Sequence, residues 1–154
     1  MTPAINAAKK AKIKYTVHEY DHDPAAPSFG VEAAEKLGVP PGRVFKTLVV
    51  DAGGTLAVAV VPVLLKLDLK AMAKAVGAKK AAMAEVKVVE RTTGYVVGGV
   101  SPLGQKKRLP TVLDASAQGL DSLFVSGGRR GLDIELAPAD LAALTRASFA
   151  AIAR

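Results

Sequence analysis

The clearest candidate for a functional side chain is Lys46, which lies inside an otherwise apolar segment, Val44–Leu48. The alternation of a strand places Lys46 on the same face as Val44 and Leu48, so we expect its stem to be at least half buried. A lysine with a desolvated stem can anchor a carboxylate, a carbonyl or a phosphate group. A lysine whose head reaches bulk water fits the same pattern, and the segment alone leaves both interpretations open.

Two glycine-rich segments are further candidates, because glycine lets backbone groups approach a ligand closely. The first is Gly94–Pro102 (GYVVGGVSP), and the second is Ser126–Asp133 (SGGRRGLD). The arginines of the second segment, together with its backbone N–H groups, are suited to binding an anion. Asp133 could orient Lys46 or an ammonium group, and it could equally be a charge at a strand edge. An ordinary tight loop also fits the first segment.

Two aromatic residues, Tyr20 and Phe29, flank a loop rich in aspartate and proline, Asp21–Pro27. An exposed aromatic ring near basic residues can stack on a nucleic-acid base. Packing into the core is the commoner fate of such rings, so both roles remain open at this point.

Several familiar catalytic arrangements are missing from the chain. Cysteine is absent, which excludes a cysteine nucleophile, a disulfide and a zinc–thiolate site. The only histidines, His18 and His22, fall at a strand end and in the next loop, about 13 Å apart on an extended chain, which is too far for one shared metal ion. The segment Gly99–Lys106 fails the P-loop consensus, because Gln105 separates its second glycine from lysine. Any enzymatic chemistry must therefore come from positioning, from backbone donors or from the substrate itself.

The charge balance favours an anionic partner. The chain has 154 residues, with 21 Lys plus Arg against 14 Asp plus Glu, and a formal net charge of +7. Nucleic acid is the commonest polyanion for a small basic domain. The length is typical of one domain, and we expect residues 1–154 to form it. The longest apolar run, residues 56–65, is too short for a transmembrane helix, and no secretory signal is evident, so we expect a cytoplasmic location.

Local signals predict the elements that must position these residues. N-caps at Thr2, Ser28 and Asp68 and glycine stops predict helices over residues 3–12, 28–37, 68–76 and 86–92, and apolar residues at helical spacing predict a final helix over residues 138–153. Apolar alternation predicts strands over residues 14–20, 44–50, 55–63, 80–83, 111–113, 122–125 and 132–136, with a hairpin turn at Asp51–Gly54. Strands and helices do not alternate regularly, which disfavours a doubly wound sheet. We expect a mixed α/β (α+β) fold with a small, mainly antiparallel, barrel-like sheet and flanking helices.

Five segments carry a more specific pattern. They are DPAAPSFG (23–30), VFKTLVV (44–50), LDLKAMAKAVGAKK (67–80), TTGYVVGGVSPLGQKKRLPTVLDASA (92–117) and FVSGGRRGLDIEL (124–136). In this order and spacing they resemble the YbaK-type cysteinyl-tRNA(Pro) deacylases, which are free-standing relatives of the editing (insertion) domain of bacterial prolyl-tRNA synthetase. The resemblance runs the length of the chain and implies the same mixed fold, without a metal or another cofactor.

The resemblance implies a trans-editing enzyme that hydrolyses cysteinyl-tRNA(Pro). The mechanism proposed for the family uses the thiol of the substrate's own cysteine, which attacks the ester carbonyl to form a cyclic thiolactone and release the tRNA. Water then opens the thiolactone. The protein needs no nucleophile of its own, which is consistent with a chain that lacks cysteine. The implied partners are the acceptor end of tRNA(Pro) carrying cysteine and prolyl-tRNA synthetase, with no membrane.

The resemblance also implies roles for individual residues. Lys46, Gly98 and Asp133 are implied as catalytic, with Lys46 binding the terminal nucleotide or the ester region. The implied substrate-binding positions are Tyr20, Phe29, Thr47, Gly99, Val100, Ser101, Pro102 and Ser126. Backbone polar groups of residues 98–102 would hold the aminoacyl group. Lys106, Lys107 and Arg108 are candidate contacts to the tRNA backbone, although a solvated basic loop fits them equally well.

Two alternatives remain open from the sequence. A related deacylase could prefer alanyl-tRNA(Pro) or another small mischarged amino acid; alanine has no thiol, so that reaction would need an activated water. The presence of Lys46, Phe29 and Asp133 together favours the cysteine type. A non-catalytic module that binds tRNA or a synthetase would also explain the basic charge.

Overall fold

Helices and strands follow one another in a mixed order along the chain, and the computed structural model describes residues 1–154. The helices are α1 (Pro3–Ala11), α2 (Phe29–Leu37), α3 (Leu69–Ala75), α4 (Val86–Thr93) and α5 (Pro138–Thr145). The strands are β1 (Tyr15–Glu19), β2 (Phe45–Ala52), β3 (Thr55–Pro62), β4 (Ala82–Met83), β5 (Thr111–Asp114), β6 (Leu123–Arg129), β7 (Leu132–Leu136) and β8 (Ser148–Ala150).

The strands form two sheets. One has five strands in the order β4-β2-β3-β5-β8, and the other has three in the order β1-β7-β6. All pairs are antiparallel except β3–β5 and β5–β8, which are parallel. A single bridge between Val44 and Phe124 links the two sheets. The predicted mixed, mainly antiparallel fold is confirmed, but the sheets do not close into a barrel.

Local sequence signals account for most element boundaries. The side chains of Thr2, Ser28 and Asp68 accept hydrogen bonds from the first turns of α1, α2 and α3, as helix N-caps do. Helices α2 and α4 end at Gly38 and Gly94, both with left-handed backbone, where glycine carries no steric penalty. The predicted hairpin is confirmed, because β2 and β3 pair from Ala52 with Thr55 onward.

The prediction of one final helix over residues 138–153 is wrong. Helix α5 ends at Thr145, and Arg146 adopts a left-handed conformation that turns the chain. Residues 148–150 then pair with β5 as strand β8. Asp114 Oδ1 accepts hydrogen bonds from the backbone N–H groups of Ile152 and Ala153, both at 3.0 Å. These contacts with a distant strand outweigh the helical spacing of the apolar residues in this segment.

The main core lies between the two sheets. Phe45, Val49 and Val58 from the five-stranded sheet pack in one cluster with residues of β6 and β7, and with apolar residues of α1, α4 and α5. The opposite face of the five-stranded sheet carries α3, whose Met72 is fully buried. Strand β4 pairs only with Val50 and Asp51, so the first half of β2 has an open edge. None of the helices combines the length and the apolar character needed to cross a membrane.

Candidate active site

A cavity of about 420 Å³ lies beside the open edge of β2 and takes its lining from separate parts of the chain. Its walls are Tyr20, Val44 with the first five residues of β2, the start of α2, the segment from β4 into α4, and the glycine loop near Gly98. Ser126 of β6 and Asp133 of β7 complete the lining. The cavity therefore lies where the two sheets meet, and neither sheet forms it alone.

The structure brings together eight of the eleven residues that the resemblance implied as catalytic or substrate-binding. The eight lining residues are Tyr20, Phe29, Lys46, Thr47, Gly98, Val100, Ser126 and Asp133. Gly99, Ser101 and Pro102 lie outside the lining. Gly99 packs on the backbone of Arg129, and the Ser101 hydroxyl accepts a hydrogen bond from Leu103 N–H. These three residues therefore shape the loop that carries Gly98.

Lys46 is a half-buried cation without an acidic partner. No carboxylate lies within 4 Å of its Nζ, so the ion pair with Asp133 that the sequence allowed is not formed. Burial lowers the pKa of the Lys46 ammonium. An unpaired, partly desolvated cation facing a cavity is suited to a negatively charged or strongly polar ligand group.

Asp133 is the buried acid of the cavity. It lies in β7 opposite Ser126 of β6, and only 6% of the residue is exposed. Burial raises the pKa of its carboxyl group to about 7, and its side chain makes no hydrogen bond or ion pair within the protein. A buried acid without a partner is expensive to ionise alone, and a cationic ligand would favour its charged form.

Hydroxyl groups form the rest of the polar lining. Thr47 Oγ1 is buried and has no hydrogen-bond partner. Ser126 Oγ accepts a hydrogen bond from Gly128 N–H at 3.1 Å, which leaves its own proton available. Burial and the neighbouring Asp133 raise the pKa of Tyr20 to about 12, so its phenol stays protonated. A fourth hydroxyl in the lining, that of Ser28, accepts a hydrogen bond from Val31 N–H as the N-cap of α2. The cavity thus presents four hydroxyl groups, one cation and one acid.

The two histidines hold separate structural positions. His18 contacts Glu135, with 2.9 Å between Nε2 and Oε1, and His22 contacts Glu32, with 2.7 Å between Nδ1 and Oε1. Burial opposes ionisation of Glu32, but hydrogen bonds from Asp23 N–H, His22 and Lys36 lower its pKa to about 2. The carboxylate partners of the two histidines therefore come from β7 and α2, and neither partner belongs to the adjacent loop.

Sequence reasoning missed Glu32 as the acid that fastens the loop to α2. Lys36, four residues later on the same helix, is the sequence signal for that position, since its Nζ lies 3.1 Å from Glu32 Oε2.

Sequence reasoning also missed the apolar rim of the cavity, which includes Met83, Val86 and Val97. These three residues are 50%, 56% and 37% exposed, respectively. No local pattern marks them, because only the tertiary fold places them beside β2.

The basic loop Lys106–Arg108 is fully at the surface and does not line the cavity. Its start is held against α4, since Lys106 N–H donates a hydrogen bond to the carbonyl of Thr93.

A larger concavity of about 760 Å³ lies at the turn end of the β2–β3 hairpin. Its charged residues are the exposed Lys79, Lys80 and Arg146, with no buried titratable group, so we assign the site to the cavity that contains Lys46 and Asp133.

Comparison with known proteins identifies relatives of this chain. The model of the aminoacyl-tRNA editing domain matches residues 23–144. The protein named "Putative Cys-tRNA(Pro)/Cys-tRNA(Cys) deacylase EbsC" from Enterococcus faecalis is 44% identical over 98% of this chain and 92% of its own length. The "Uncharacterized protein YwhH" from Bacillus subtilis is 32% identical over 71% of this chain and 70% of its own length.

Solved structures show the same architecture. The structure described as "Crystal structure of a putative trans-editing enzyme for prolyl tRNA synthetase" superposes with a TM-score of 0.87 at 27% identity, covering 99% of this chain and 95% of that chain. The structure of "hypothetical protein APE2540" superposes with a TM-score of 0.86 at 27% identity, covering 99% of both chains. On the match across residues 23–144 and the full-length relative, the chain belongs to the aminoacyl-tRNA editing domain family.

Proposed function

We propose that this aminoacyl-tRNA deacylase removes cysteine from mischarged tRNA(Pro). The observation that carries the proposal is a cavity with an unpaired cation, Lys46, and an unpaired buried acid, Asp133, but without an activated nucleophile. Neither histidine lines the cavity, and no hydroxyl there is hydrogen-bonded to one. The relative whose name specifies Cys-tRNA(Pro) and Cys-tRNA(Cys) as substrates supports the choice of cysteine.

The two charged residues suit opposite ends of the aminoacyl group. The ionised Asp133 carboxylate binds the α-ammonium group of the amino acid, and that cation lowers the pKa of the acid in return. Lys46 Nζ lies toward the ester and stabilises the negative charge that develops on its carbonyl oxygen. The free hydroxyl of Thr47 and backbone groups beside Gly98 hold the remaining polar atoms of the ester.

In this proposal the substrate supplies the nucleophile. The cysteine sulfur attacks the ester carbonyl carbon, a carbon–sulfur bond forms, and the bond to the ribose oxygen breaks. The thiol proton passes to the departing ribose oxygen, which becomes a hydroxyl group as the tRNA is released. Water then cleaves the thiolactone and gives free cysteine. Prolyl-tRNA(Pro) survives because proline has no thiol, whereas a pocket that relied on size alone would discriminate weakly between such similar residues.

Release of amino acids from purified substrates tests the proposal. We would compare cysteinyl-, alanyl- and prolyl-tRNA(Pro) with a cysteinyl-tRNA(Pro) whose thiol is methylated. Rapid loss of cysteine alone, blocked by methylation, is the expected result. Release of alanine or of S-methylcysteine would contradict the thiol mechanism and would instead indicate attack by water. No release from any substrate would favour a non-catalytic tRNA-binding module.

Substitution of Lys46 tests the assignment of the cavity. We expect Lys46→Ala to reduce kcat for cysteinyl-tRNA(Pro) at least about 100-fold, the usual effect of removing a group that stabilises transition-state charge. The affinity for tRNA should change little, because it is spread over several basic contacts. The matched control is Lys66→Ala, which removes an exposed lysine outside the cavity. Unchanged turnover in a folded Lys46→Ala protein would place the active site elsewhere.

We further propose that the protein acts in the cytoplasm beside prolyl-tRNA synthetase, the enzyme named in the description of the structurally similar trans-editing protein. Mischarged tRNA is made there, and an editing enzyme must meet it before the ribosome does. Pull-down of the synthetase with this protein, with and without tRNA(Pro), tests that partnership directly. Absence of any complex at physiological salt would mean that the enzyme captures free aminoacyl-tRNA.

A further inference from the structure

Arg130 is an exposed side chain that is nevertheless held in one position at the cavity. It lies in the turn between β6 and β7. Its guanidinium carbon lies 4.4 Å from the centroid of the Phe29 ring, and its Nη2 donates to the carbonyl of Val97 at 2.7 Å. Both contacted residues line the cavity, whereas Arg130 itself does not. The guanidinium therefore lies immediately outside the cavity, at its rim.

Gly98 is shaped around this arginine. A Cβ atom at position 98 would overlap Nε of Arg130 and would lie 2.9 Å from Cε2 of Phe29. Gly98 also has a φ of +95°, a conformation that other residues rarely adopt. Phe29, Gly98 and Arg130 thus pack together at the mouth of the cavity. The glycine that the family resemblance marked as catalytic is the residue that makes room for the guanidinium.

The charge of Arg130 has no partner in the protein. No carboxylate lies within 4 Å of it, whereas the adjacent Arg129 lies 3.8 Å from Glu19 and Arg43 lies 3.1 Å from Glu135. Only one of its five N–H groups donates a hydrogen bond to the protein. A positioned guanidinium with free donors is the group best suited to bind phosphate oxygens.

We infer that Arg130 forms a phosphate subsite for the 3′-terminal nucleotide of the aminoacyl-tRNA. The inference rests on the proposed function, because it assumes that the amino acid occupies the cavity with Lys46 and Asp133. The ester joins the amino acid to the terminal ribose, so the phosphate on the other side of that ribose must lie at the rim. Phe29 then has two roles, because its ring packs against the guanidinium and also lines the cavity.

Two minimal substrates separate phosphate binding from a merely structural role. One is the 3′-cysteinyl ester of adenosine, and the other is the same ester carrying a 5′-phosphate. We expect Arg130→Ala to raise KM for the phosphorylated ester at least 10-fold more than KM for the unphosphorylated ester. Arg130→Lys should recover part of the loss, because a lysine keeps the charge without the planar fork. Arg129→Ala is the matched control, since it removes a neighbouring arginine that pairs with Glu19.

A binding measurement keeps the subsite testable without turnover. Titration calorimetry should show that the parent protein binds adenosine 5′-monophosphate at least 10-fold more tightly than adenosine, and that Arg130→Ala abolishes this preference. Equal losses on both esters, or a preference that persists in folded Arg130→Ala, would overturn the subsite. If the parent protein hydrolyses no ester but keeps the Arg130-dependent preference, the proposed function fails while the phosphate subsite stands.

Discussion

At the scale of single residues, the cavity collects polar groups in positions that weaken the fold. Asp133 is a buried acid without a partner, Thr47 has a buried hydroxyl without a hydrogen bond, and Lys46 is a partly desolvated cation. Each arrangement costs folding free energy, because the unfolded chain would solvate the same group. A ligand that pairs with all three would recover this cost on binding. The presence of three polar groups that destabilise the folded state around one cavity therefore itself indicates a binding site.

We expect Asp133→Asn to exchange activity for stability. The pKa of Asp133 is about 7 in the folded protein, which is above its value in the unfolded chain. Between those two pH values the unfolded chain therefore holds fewer protons than the folded protein. Because of this difference, Asp133 makes the parent protein less stable as the pH rises toward 7. The variant lacks this loss. The difference in free energy of unfolding between Asp133→Asn and the parent should therefore be larger at pH 8 than at pH 5, by about 2–3 kcal/mol. Urea titrations at the two pH values measure this difference.

The pH profile of activity gives a second readout for Asp133. In the parent, kcat/KM for cysteinyl-tRNA(Pro) should rise as Asp133 ionises near pH 7, because kcat/KM reports the groups of the free enzyme. Asp133→Asn should lower kcat/KM about 100-fold and abolish that rise. A variant with full activity and an unchanged profile would remove Asp133 from the binding of the ammonium group.

Thr47→Val separates the hydroxyl from the shape of the side chain. Valine keeps the branched shape and removes a buried donor that has no partner, so we expect the free energy of unfolding to rise by about 1 kcal/mol. Activity on cysteinyl-tRNA(Pro) should fall about 10-fold if the hydroxyl binds the ester. Thr55→Val on the exposed start of β3 is the control, since Thr55 lies outside this cavity. A loss of stability in Thr47→Val would mean that the hydroxyl is satisfied in the fold.

At the scale of elements, helix α2 decides where the aromatic wall of the cavity lies. The helix begins at Phe29, and its next residue, Gly30, packs directly on the side chain of Val63 beyond the end of β3. Glu32 fastens the preceding loop to the same helix through Asp23 and His22. The position of Phe29 therefore depends on close contact between α2 and the five-stranded sheet.

We expect Gly30→Ala to move α2 and to destabilise the protein by about 1–3 kcal/mol, the usual cost of overpacking a core. The added Cβ would overlap Cγ1 of Val63 and lie 2.9 Å from its Cβ. Combining it with Val63→Ala should restore part of the stability, since the smaller side chain makes room. Urea unfolding of the two single variants and the double variant measures the coupling. Strictly additive effects would show that the two residues do not compete for the same space.

At the scale of the whole molecule, the formal net charge of +7 provides the long-range attraction to tRNA. The cavity itself contributes one unpaired lysine, so most of this charge lies elsewhere on the surface. The exposed loop Lys106–Arg108 is hydrogen-bonded to the last turn of α4, and α4 also contributes Val86 to the apolar rim. We expect this loop to contact the backbone of a tRNA whose 3′ end occupies the cavity.

Charge reversal of Lys106, Lys107 and Arg108 to glutamate tests that contact. We expect KM for cysteinyl-tRNA(Pro) to rise about 10-fold, with a weaker dependence on salt, because fewer phosphates are neutralised. Hydrolysis of the cysteinyl ester of adenosine should not change. The control reverses Lys66, Lys70 and Lys74, which lowers the net charge equally but lies in and before α3, on the other face of the sheet. Equal effects from both triple variants would indicate non-specific attraction.

Local structure and eight of the residues that line the cavity could be predicted from the amino-acid sequence. Caps at Thr2, Ser28 and Asp68 and the hairpin at Asp51–Gly54 appear as predicted, because each signal acts within a few residues. The family pattern marked eight residues that the fold then placed around one cavity. These features need only short-range chemistry or a pattern along the chain.

The way in which distant segments meet could not be predicted and emerges from the folded molecule. Strand β8 replaces the end of the predicted final helix, because Asp114 and β5 bind it from more than 30 residues away. Lys46 and Asp133 face one cavity without pairing, and Arg130 packs on Phe29 rather than on an acid. Such outcomes depend on contacts between distant segments, and the free energies of these contacts are larger than local helix and strand preferences. The spacing of neighbouring residues therefore does not predict them.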